Sequence, residues 1–289
     1  MRQSTENHAA IGSDTGIAMV PGMTKQVFPD LRKFLDQLSD DGDVRVIEAP
    51  VDPNLEIAEI HRRVIASGGP ALLFARPKRS EIPVVTNLFG TTRRAQLAFG
   101  RRPAELVRTL VELIQEGMPP SPSRLWANRR LLGAGLRIGT RRVGRGPVTE
   151  VISSEVDLDR LPALTSWPED GGPFITLPLV TTHHPRTGTP NLGMYRLQIH
   201  DRQTTGMHWQ IGKGGGFHYQ ASELEGRDLQ TTVFLGGPPA LILAAIAPLP
   251  ENVPELMLAS LISGGKIGQC AGPDGRPLVA DAEICLLYT

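Results

Sequence analysis

Apolar positions in the first third of the chain follow helical spacing in some segments and strand spacing in others. Leu31, Phe34, Leu35 and Leu38 occupy positions i, i+3, i+4 and i+7, which predicts an amphipathic helix that stops at Gly42. Short apolar or alternating runs bounded by turn residues predict strands at residues 44–47, 71–74 and 83–86. This alternation is typical of a sheet covered by helices.

Two further helices extend the same unit. Asp52 or Asn54 is placed to cap a helix that runs to about Ala66. Helical spacing returns within residues 106–113. We therefore predict an N-terminal α/β domain at residues 26–118.

The second half of the chain has a β-rich pattern. Strand candidates lie at residues 174–182, 193–200, 231–235 and 282–287, and a helix follows Pro254. We predict a barrel-type domain over residues 148–289. Residues 119–147, which carry two arginine pairs but no period, are interpreted as a connector, and the polar residues 1–25 as a disordered leader.

Charge and apolar content argue against two classes of protein, nucleic-acid-binding proteins and membrane-spanning proteins. The 289 residues carry 30 basic and 30 acidic side chains, so neutralisation of nucleic-acid phosphates is not expected to drive binding. The longest apolar stretch, residues 240–249, is half of the ~20 residues that a bilayer-spanning helix needs, which predicts no membrane span. Two cysteines without a metal-site or disulfide pattern, and no apolar signal segment, indicate the reducing cytoplasm.

Chemically capable side chains concentrate in residues 191–196 and 207–216. Strand geometry places Asn191, Gly193 and Tyr195 on one face of the first segment, and Met194 and Arg196 on the other. Because the Arg196 guanidinium can make two parallel hydrogen bonds, it is the candidate that binds a substrate carboxylate. A structural ion pair is the alternative interpretation of Arg196.

The glycine-rich run at residues 212–216 allows two interpretations. Its backbone N–H groups can approach a phosphate closely, and Lys213 adds a positive charge. A glycine-rich hairpin turn explains the same residues about as well, because no P-loop or Rossmann pattern is present.

A mixed oxygen and nitrogen donor set is available from Asn191, His208 and Glu255. Such a set suits Mn²⁺ or Mg²⁺. Each residue also has a structural explanation, and a carboxylate such as Glu255 is favoured in the first turn of a helix. We assign no catalytic role to His183, His184 or His218, and His218 is placed in an edge segment. No nucleophile motif of the serine, cysteine or zinc-protease type is present.

The order of these motifs resembles the UbiD family of decarboxylases, which use prenylated FMN. The resemblance runs through residues 26–285 and rests on Asp30-Leu31-Arg32-Lys33-Phe34-Leu35, Asn191-Leu192-Gly193-Met194-Tyr195-Arg196, His208-Trp209-Gln210, Lys213-Gly214-Gly215, Gly237-Pro238-Pro239-Ala240, Ala247-Pro248-Leu249-Pro250, Pro254-Glu255 and Gly264-Gly265-Lys266. It implies an α/β fold in which an N-terminal α/β domain precedes a split β-barrel domain that binds the flavin.

The resemblance also assigns roles to the site residues. It implies that Asn191, His208 and Glu255 hold a divalent metal, usually Mn²⁺, at the cofactor phosphate; K⁺ is a further candidate ion. The residues implied to line the prenylated FMN are Met194, Tyr195, Arg196, His208, Trp209, Gln210, Lys213 and Gly214. Arg196 is the implied catalytic residue, because it orients the carboxylate of the substrate.

The implied reaction is the loss of carbon dioxide from an aromatic or α,β-unsaturated acid, with the flavin as electron sink. Implied partners are the carboxylic acid, a flavin prenyltransferase that supplies the cofactor, and further copies of the full-length chain. We expect the C-terminal α/β domain of the family and its proton-donating carboxylate to be missing, because the last residues, 285–289, do not continue the family pattern. A non-catalytic flavin and metal binding fragment and a split-barrel flavin reductase are the alternative functions.

Overall fold

The computed structural model describes residues 28–100, 138–210, 212–249 and 254–288. The predicted leader, the predicted helix at residues 106–113 and most of the predicted connector lie outside the described residues. The proposed domain boundaries stay predictions.

The N-terminal part is a three-stranded sheet with helices. Its sheet has the order β1-β2-β3, in which β1 and β2 are parallel and β3 is antiparallel to β2. The elements, which follow the predicted order, are α1 (Leu31–Asp40), β1 (Val44–Ile47), α2 (Glu56–Ala66), β2 (Ala71–Phe74), β3 (Val84–Thr86) and α3 (Thr92–Phe99).

The two helix starts in this part differ in how they are capped. The Asp30 side chain accepts a hydrogen bond from the Lys33 N–H at 2.7 Å, as expected of an N-cap residue. The prediction that Asp52 or Asn54 caps α2 is wrong, because the N-cap position is Leu55, at φ 67°. A tight turn precedes α2, in which the Glu56 carboxylate accepts from the Asp52 N–H at 2.7 Å.

The C-terminal part contains ten strands and three α-helices within the described residues. They are β4 (Thr140–Arg142), β5 (Phe174–Ile175), β6 (Leu179–His183), β7 (Pro190–Met194), β8 (Leu197–Ile199), β9 (Thr205–Met207), α4 (Gly214–Leu224), β10 (Thr231–Gly236), α5 (Ala240–Ile246), α6 (Glu255–Ser263), β11 (Ile267–Ala271), β12 (Pro277–Val279) and β13 (Ala282–Tyr288). Two short 3₁₀ helices, Pro147–Thr149 and Leu158–Arg160, lie between β4 and β5.

These strands form three sheets with the orders β13-β10-β6-β7, β12-β11-β4 and β5-β8-β9. No closed barrel is present among the described strands, and the split barrel stays a prediction. The predicted strands at 174–182 and 193–200 are each two strands, because the chain passes from one sheet to another within each segment. The end of the predicted connector contains β4, which pairs in parallel with β11.

The β13-β10-β6-β7 sheet is covered on both faces. On one face Leu179, Leu192 and Phe234 pack against α5 and α6. On the other face Val180 and Val233 pack against β8, β9 and the loop that follows β9. Strand β7 forms one edge of this sheet, so the segments next to it can reach its backbone.

Direct contacts join the N-terminal part to the C-terminal part. The Leu55 N–H donates to the Thr165 carbonyl at 2.9 Å, and the Arg62 guanidinium lies 4.3 Å from the centre of the Trp167 ring. Arg32 and Glu283 form an ion pair at 2.7 Å between α1 and β13. Across the four described ranges, every helix is too short or too polar to cross a membrane.

Candidate functional site

The candidate site is built on β7, the edge strand of its sheet. Tyr195 packs on the face of the sheet that carries Val180 and Val233, whereas Met194 packs toward α5 and α6 on the opposite face. The side chain of Asn191 lies beside Gly214 at the start of α4. The structure therefore has the side-chain alternation that strand spacing predicts for Asn191, Met194 and Tyr195.

Helix α4 opens with three glycines, of which Gly214 packs against Asn191 of β7 and Gly215 against Tyr195 and Trp209. A Cβ atom at Gly214 would stand 2.0 Å from Asn191 Oδ1, and a Cβ at Gly215 would stand 2.6 Å from the Trp209 ring. The glycine run is therefore a helix start and not a hairpin turn, which removes that alternative. The first N–H groups of a helix have no partner within the helix and carry its partial positive charge, so this end of α4 favours an anion.

Two polar side chains are buried at this helix start. The Tyr195 hydroxyl accepts a hydrogen bond from the Gly215 N–H at 3.0 Å, and burial raises the pKa of Tyr195. Asn191 is 8 % exposed, and its Nδ2 atom has no hydrogen-bond partner among the described residues. Because an unpaired buried donor is costly, the Asn191 amide is well suited to bind an acceptor.

Glu255 reaches the same strand from α6. It is the first residue of that helix, and its Oε2 atom accepts from the Leu192 N–H at 3.0 Å. Burial is the main cause of the raised pKa of Glu255. Asn191, Leu192 and Glu255 also line one cavity of about 280 Å³. The structure thus brings together two of the three predicted metal ligands.

The third predicted ligand, His208, is exposed and does not line this cavity. Its backbone N–H donates to the Arg196 carbonyl at 3.2 Å, which places it beside the other predicted site segment. No group of three His, Cys, Asp or Glu residues in the described ranges is arranged to hold a metal. The Asn191 amide and the Glu255 carboxylate are the oxygen donors that the described side chains bring to β7.

Arg196 and Lys213 are the basic side chains of the site. The Arg196 guanidinium lies 5.1 Å from the centre of the Phe174 ring and pairs with no carboxylate among the described residues. Among the described residues, Arg196 therefore forms no structural ion pair. Lys213 is the exposed N-cap residue of α4, and Gln210, also exposed, accepts from its N–H at 3.2 Å.

Sequence reasoning missed a buried histidine behind the site. His218 lies in α4, not in an edge segment, and its Nδ1 atom is 2.8 Å from Thr182 Oγ1. Burial, followed by the nearby His184 and His183, lowers the pKa of His218 to about 4. His183 also lines the cavity. No sequence signal marks these contacts, because they depend on how α4 lies on β6.

Family comparisons cover most of the chain. Residues 141–287 match the 3-octaprenyl-4-hydroxybenzoate carboxy-lyase Rift-related domain, and residues 35–114 match the N-terminal domain of the same enzymes. The first match alone spans half of the chain. The chain belongs to the UbiD family.

Curated relatives share the sequence over most of this chain. A 4-hydroxybenzoate decarboxylase subunit of Chlamydia pneumoniae is 49% identical over 240 residues, which are 83% of this chain and 41% of the relative. An uncharacterised protein of Archaeoglobus fulgidus is 38% identical over 262 residues, which are 90% of this chain and 54% of the relative. The chain thus spans about half, or less, of the length of these relatives.

Solved structures share the fold. The UbiD-class enzyme HmfF from Pelotomaculum thermopropionicum, in an evolved dimeric form in complex with prFMN, is 26% identical, with a TM-score of 0.77 over 90% of this chain and 56% of that chain. The vanillic acid decarboxylase of Sedimentibacter hydroxybenzoicus in its closed form is 24% identical, with a TM-score of 0.75 over 91% of this chain and 55% of that chain. The second likeness concerns the fold alone.

Proposed function

We propose that this chain forms the flavin-binding and metal-binding part of a UbiD-type decarboxylase that acts on an aromatic or α,β-unsaturated carboxylic acid. A 4-hydroxybenzoate-type acid is the substrate class we favour, since a Chlamydia relative carries that name. The observation that carries the proposal is the meeting of Asn191, Glu255 and the α4 start at the edge of β7.

The residues at this edge fit the phosphate of a flavin and a divalent cation. The buried Asn191 amide, the N–H groups of α4 and the Lys213 ammonium offer donors and positive charge to a phosphate. Glu255 and the Asn191 carbonyl offer oxygen ligands to Mn²⁺, which prefers such donors. His208 is the proposed nitrogen ligand, contributed from the segment beside Arg196.

The chain's own side chains orient the reactants. Arg196 binds the substrate carboxylate, because its guanidinium lies free of carboxylate partners in the described residues and is held over Phe174. Trp209 packs against Gly215 at the start of α4, and the Gln210 carbonyl lies beside Gly216. Met194 is a proposed flavin contact from the family resemblance alone, since its side chain packs toward α5 and α6. When bound, prenylated FMN supplies the electron sink for loss of carbon dioxide.

Several parts of the proposal extend beyond this site. They are the prenyltransferase that supplies the cofactor, K⁺ as a further ion, the split barrel, assembly with further copies of the chain and a cytoplasmic location. They are inferred from membership of the UbiD family, and the dimeric form of the similar HmfF structure supports the assembly.

The test measures how Glu255 contributes to flavin affinity. In buffer with Mn²⁺, we expect the FMN dissociation constant of Glu255→Ala to be at least ~10-fold higher than that of the unaltered chain, as is typical when a metal site loses a supporting group. Glu169→Ala, at an exposed position, is the control and should change the constant less than about twofold. Unaltered affinity in Glu255→Ala would contradict the metal-bridged phosphate and favour the reductase alternative.

Carbon dioxide release separates the enzyme from the non-catalytic fragment. The unaltered chain is loaded with prenylated FMN and Mn²⁺ and offered hydroxybenzoates and cinnamate-like acids. Carbon dioxide release from one class of acids identifies the substrate class. Cofactor retention without carbon dioxide release supports the non-catalytic binding fragment.

A further inference from the structure

Tyr195 occupies a different place from the other residues that the family resemblance assigns to the flavin. It is only 3 % exposed, and its ring packs in the core with Val180, Leu197 and Val233. Its hydroxyl is engaged by the Gly215 N–H at 3.0 Å. Tyr195 therefore has little surface left to offer to a cofactor.

The Tyr195 ring also fits against two glycines. A Cβ atom at Gly193 would stand 2.3 Å from the ring, and one at Gly215 would stand 2.9 Å from it. Both distances are shorter than any tolerable contact, so the ring fills the space that glycine leaves on β7 and on α4. The ring of Trp209 packs on Tyr195 with 5.0 Å between the ring centres.

We propose that Tyr195 is a positioning residue, which holds the glycine start of α4 against β7 and so keeps the Asn191 amide and the α4 N–H groups in one arrangement. It acts through Gly215 and Trp209 and does not touch the flavin. The inference deepens the proposed function, on which it rests for the identity of the ligand. The contact between Tyr195 and Gly215 itself does not depend on any ligand.

The test compares two tyrosines near the same helix. Tyr195→Phe keeps the ring and removes only the hydroxyl. Tyr219→Phe is the matched control, because the exposed Tyr219 hydroxyl bonds Glu223 within α4, while its ring also faces Trp209. The readouts are the FMN dissociation constant with Mn²⁺, the midpoint of thermal unfolding, and amide hydrogen exchange at Gly214, Gly215 and Gly216 in the ligand-free protein.

We expect Tyr195→Phe to raise the FMN dissociation constant and the Gly215 exchange rate about fivefold each, the effect of one lost hydrogen bond. Tyr219→Phe should change neither. Unchanged FMN affinity in folded Tyr195→Phe, with only a lower unfolding midpoint, would overturn the proposal, since it would make Tyr195 merely structural.

Hydrogen exchange keeps this inference separate from the proposed function. If the unaltered chain binds no FMN, the proposed function fails, and exchange alone decides the role of Tyr195. If Tyr195→Phe does not fold, hydrogen exchange in the unaltered chain again decides the role of Tyr195. In the unaltered chain Gly215 should then exchange more slowly than Gly214 and Gly216, whereas equal rates at the three glycines would overturn the inference.

Discussion

His218 lies in an environment that strongly disfavours the charged form of its imidazole. It is buried in α4, its Nδ1 atom contacts the Thr182 hydroxyl, and its ring lies 5.4 Å from that of His184. Burial and the two neighbouring histidines disfavour a charged imidazole, so the pKa of His218 falls from 6.5 to about 4. His218 therefore stabilises the fold in its neutral form.

This shift predicts a loss of stability in mild acid. Below about pH 6.5 the unfolded chain binds a proton at His218 that the folded chain does not, so the free energy of unfolding decreases until about pH 4. Between pH 7.5 and pH 5 the loss from this residue is about 2 kcal/mol. Urea unfolding of the unaltered chain and of His218→Gln at both pH values measures it, and the variant should lose less.

His200→Gln is the control for this experiment, because His200 is exposed. It should keep the pH dependence of the unaltered chain. His183, which burial also shifts to a lower pKa, remains in every variant. An equal loss of stability in His218→Gln and the unaltered chain would contradict the prediction.

At the scale of residues, the sequence shows which side chains are capable of binding but not which of them lie close together. Asn191 and Glu255 can be selected from the sequence as oxygen donors, yet 63 residues separate the Leu192 N–H from the Glu255 carboxylate that accepts it. Their contact depends on β7 being a sheet edge and on α6 starting beside it. Neither condition is encoded in local spacing, and only the family resemblance joined these residues in advance.

At the scale of elements, the start of α4 has the tightest fit in the site. Gly214 has an ordinary helical backbone, so alanine there would satisfy the backbone and favour the helix. The obstacle is the Asn191 side chain, whose Oδ1 atom lies 2.0 Å from where the new Cβ would stand. Either the Asn191 side chain or the start of α4 would have to move.

Gly214→Ala is therefore expected to lower the free energy of unfolding by about 1–3 kcal/mol despite the better helix propensity of alanine. It should also weaken FMN binding with Mn²⁺, because the Asn191 amide moves. Gly144→Ala is the control, since nothing lies within 4 Å of a Cβ at that position. Urea unfolding measures the change in stability, and FMN titration measures the change in affinity. If Gly214→Ala is more stable than the unaltered chain, the Asn191 side chain moves aside at little cost.

The elements themselves were predictable where the local pattern decides them. The amphipathic spacing before Gly42 matches α1, whose Phe34 and Leu38 are fully buried, and the helix after Pro254 matches α6. Strand breaks were not predictable, because they mark changes of sheet. Residues 193–200 read as one strand, yet β7 and β8 belong to different sheets. Strand β4 was missed because its three residues are exposed and polar.

At the scale of the molecule, the N-terminal part is docked by both backbone and side-chain contacts. Leu55 and Thr165 are joined by a backbone hydrogen bond, and Arg62 reaches from α2 to the segment around Trp167. The Arg62 Nη1 atom also donates to the Ser166 carbonyl at 2.9 Å. We therefore expect the two parts to unfold together.

Two neighbouring arginines of α2 separate this coupling from the local stability of the helix. Arg62 and Arg63 both pair with Glu59, but only Arg62 also contacts Trp167 and Ser166. We expect Arg62→Ala to lower the free energy of unfolding by about 1–2 kcal/mol, from the lost cation–π contact and hydrogen bond. Arg63→Ala removes an exposed pair and should cost less than about 0.5 kcal/mol. Urea unfolding followed by circular dichroism compares them, and equal losses would mean that Arg62 acts only within its own helix.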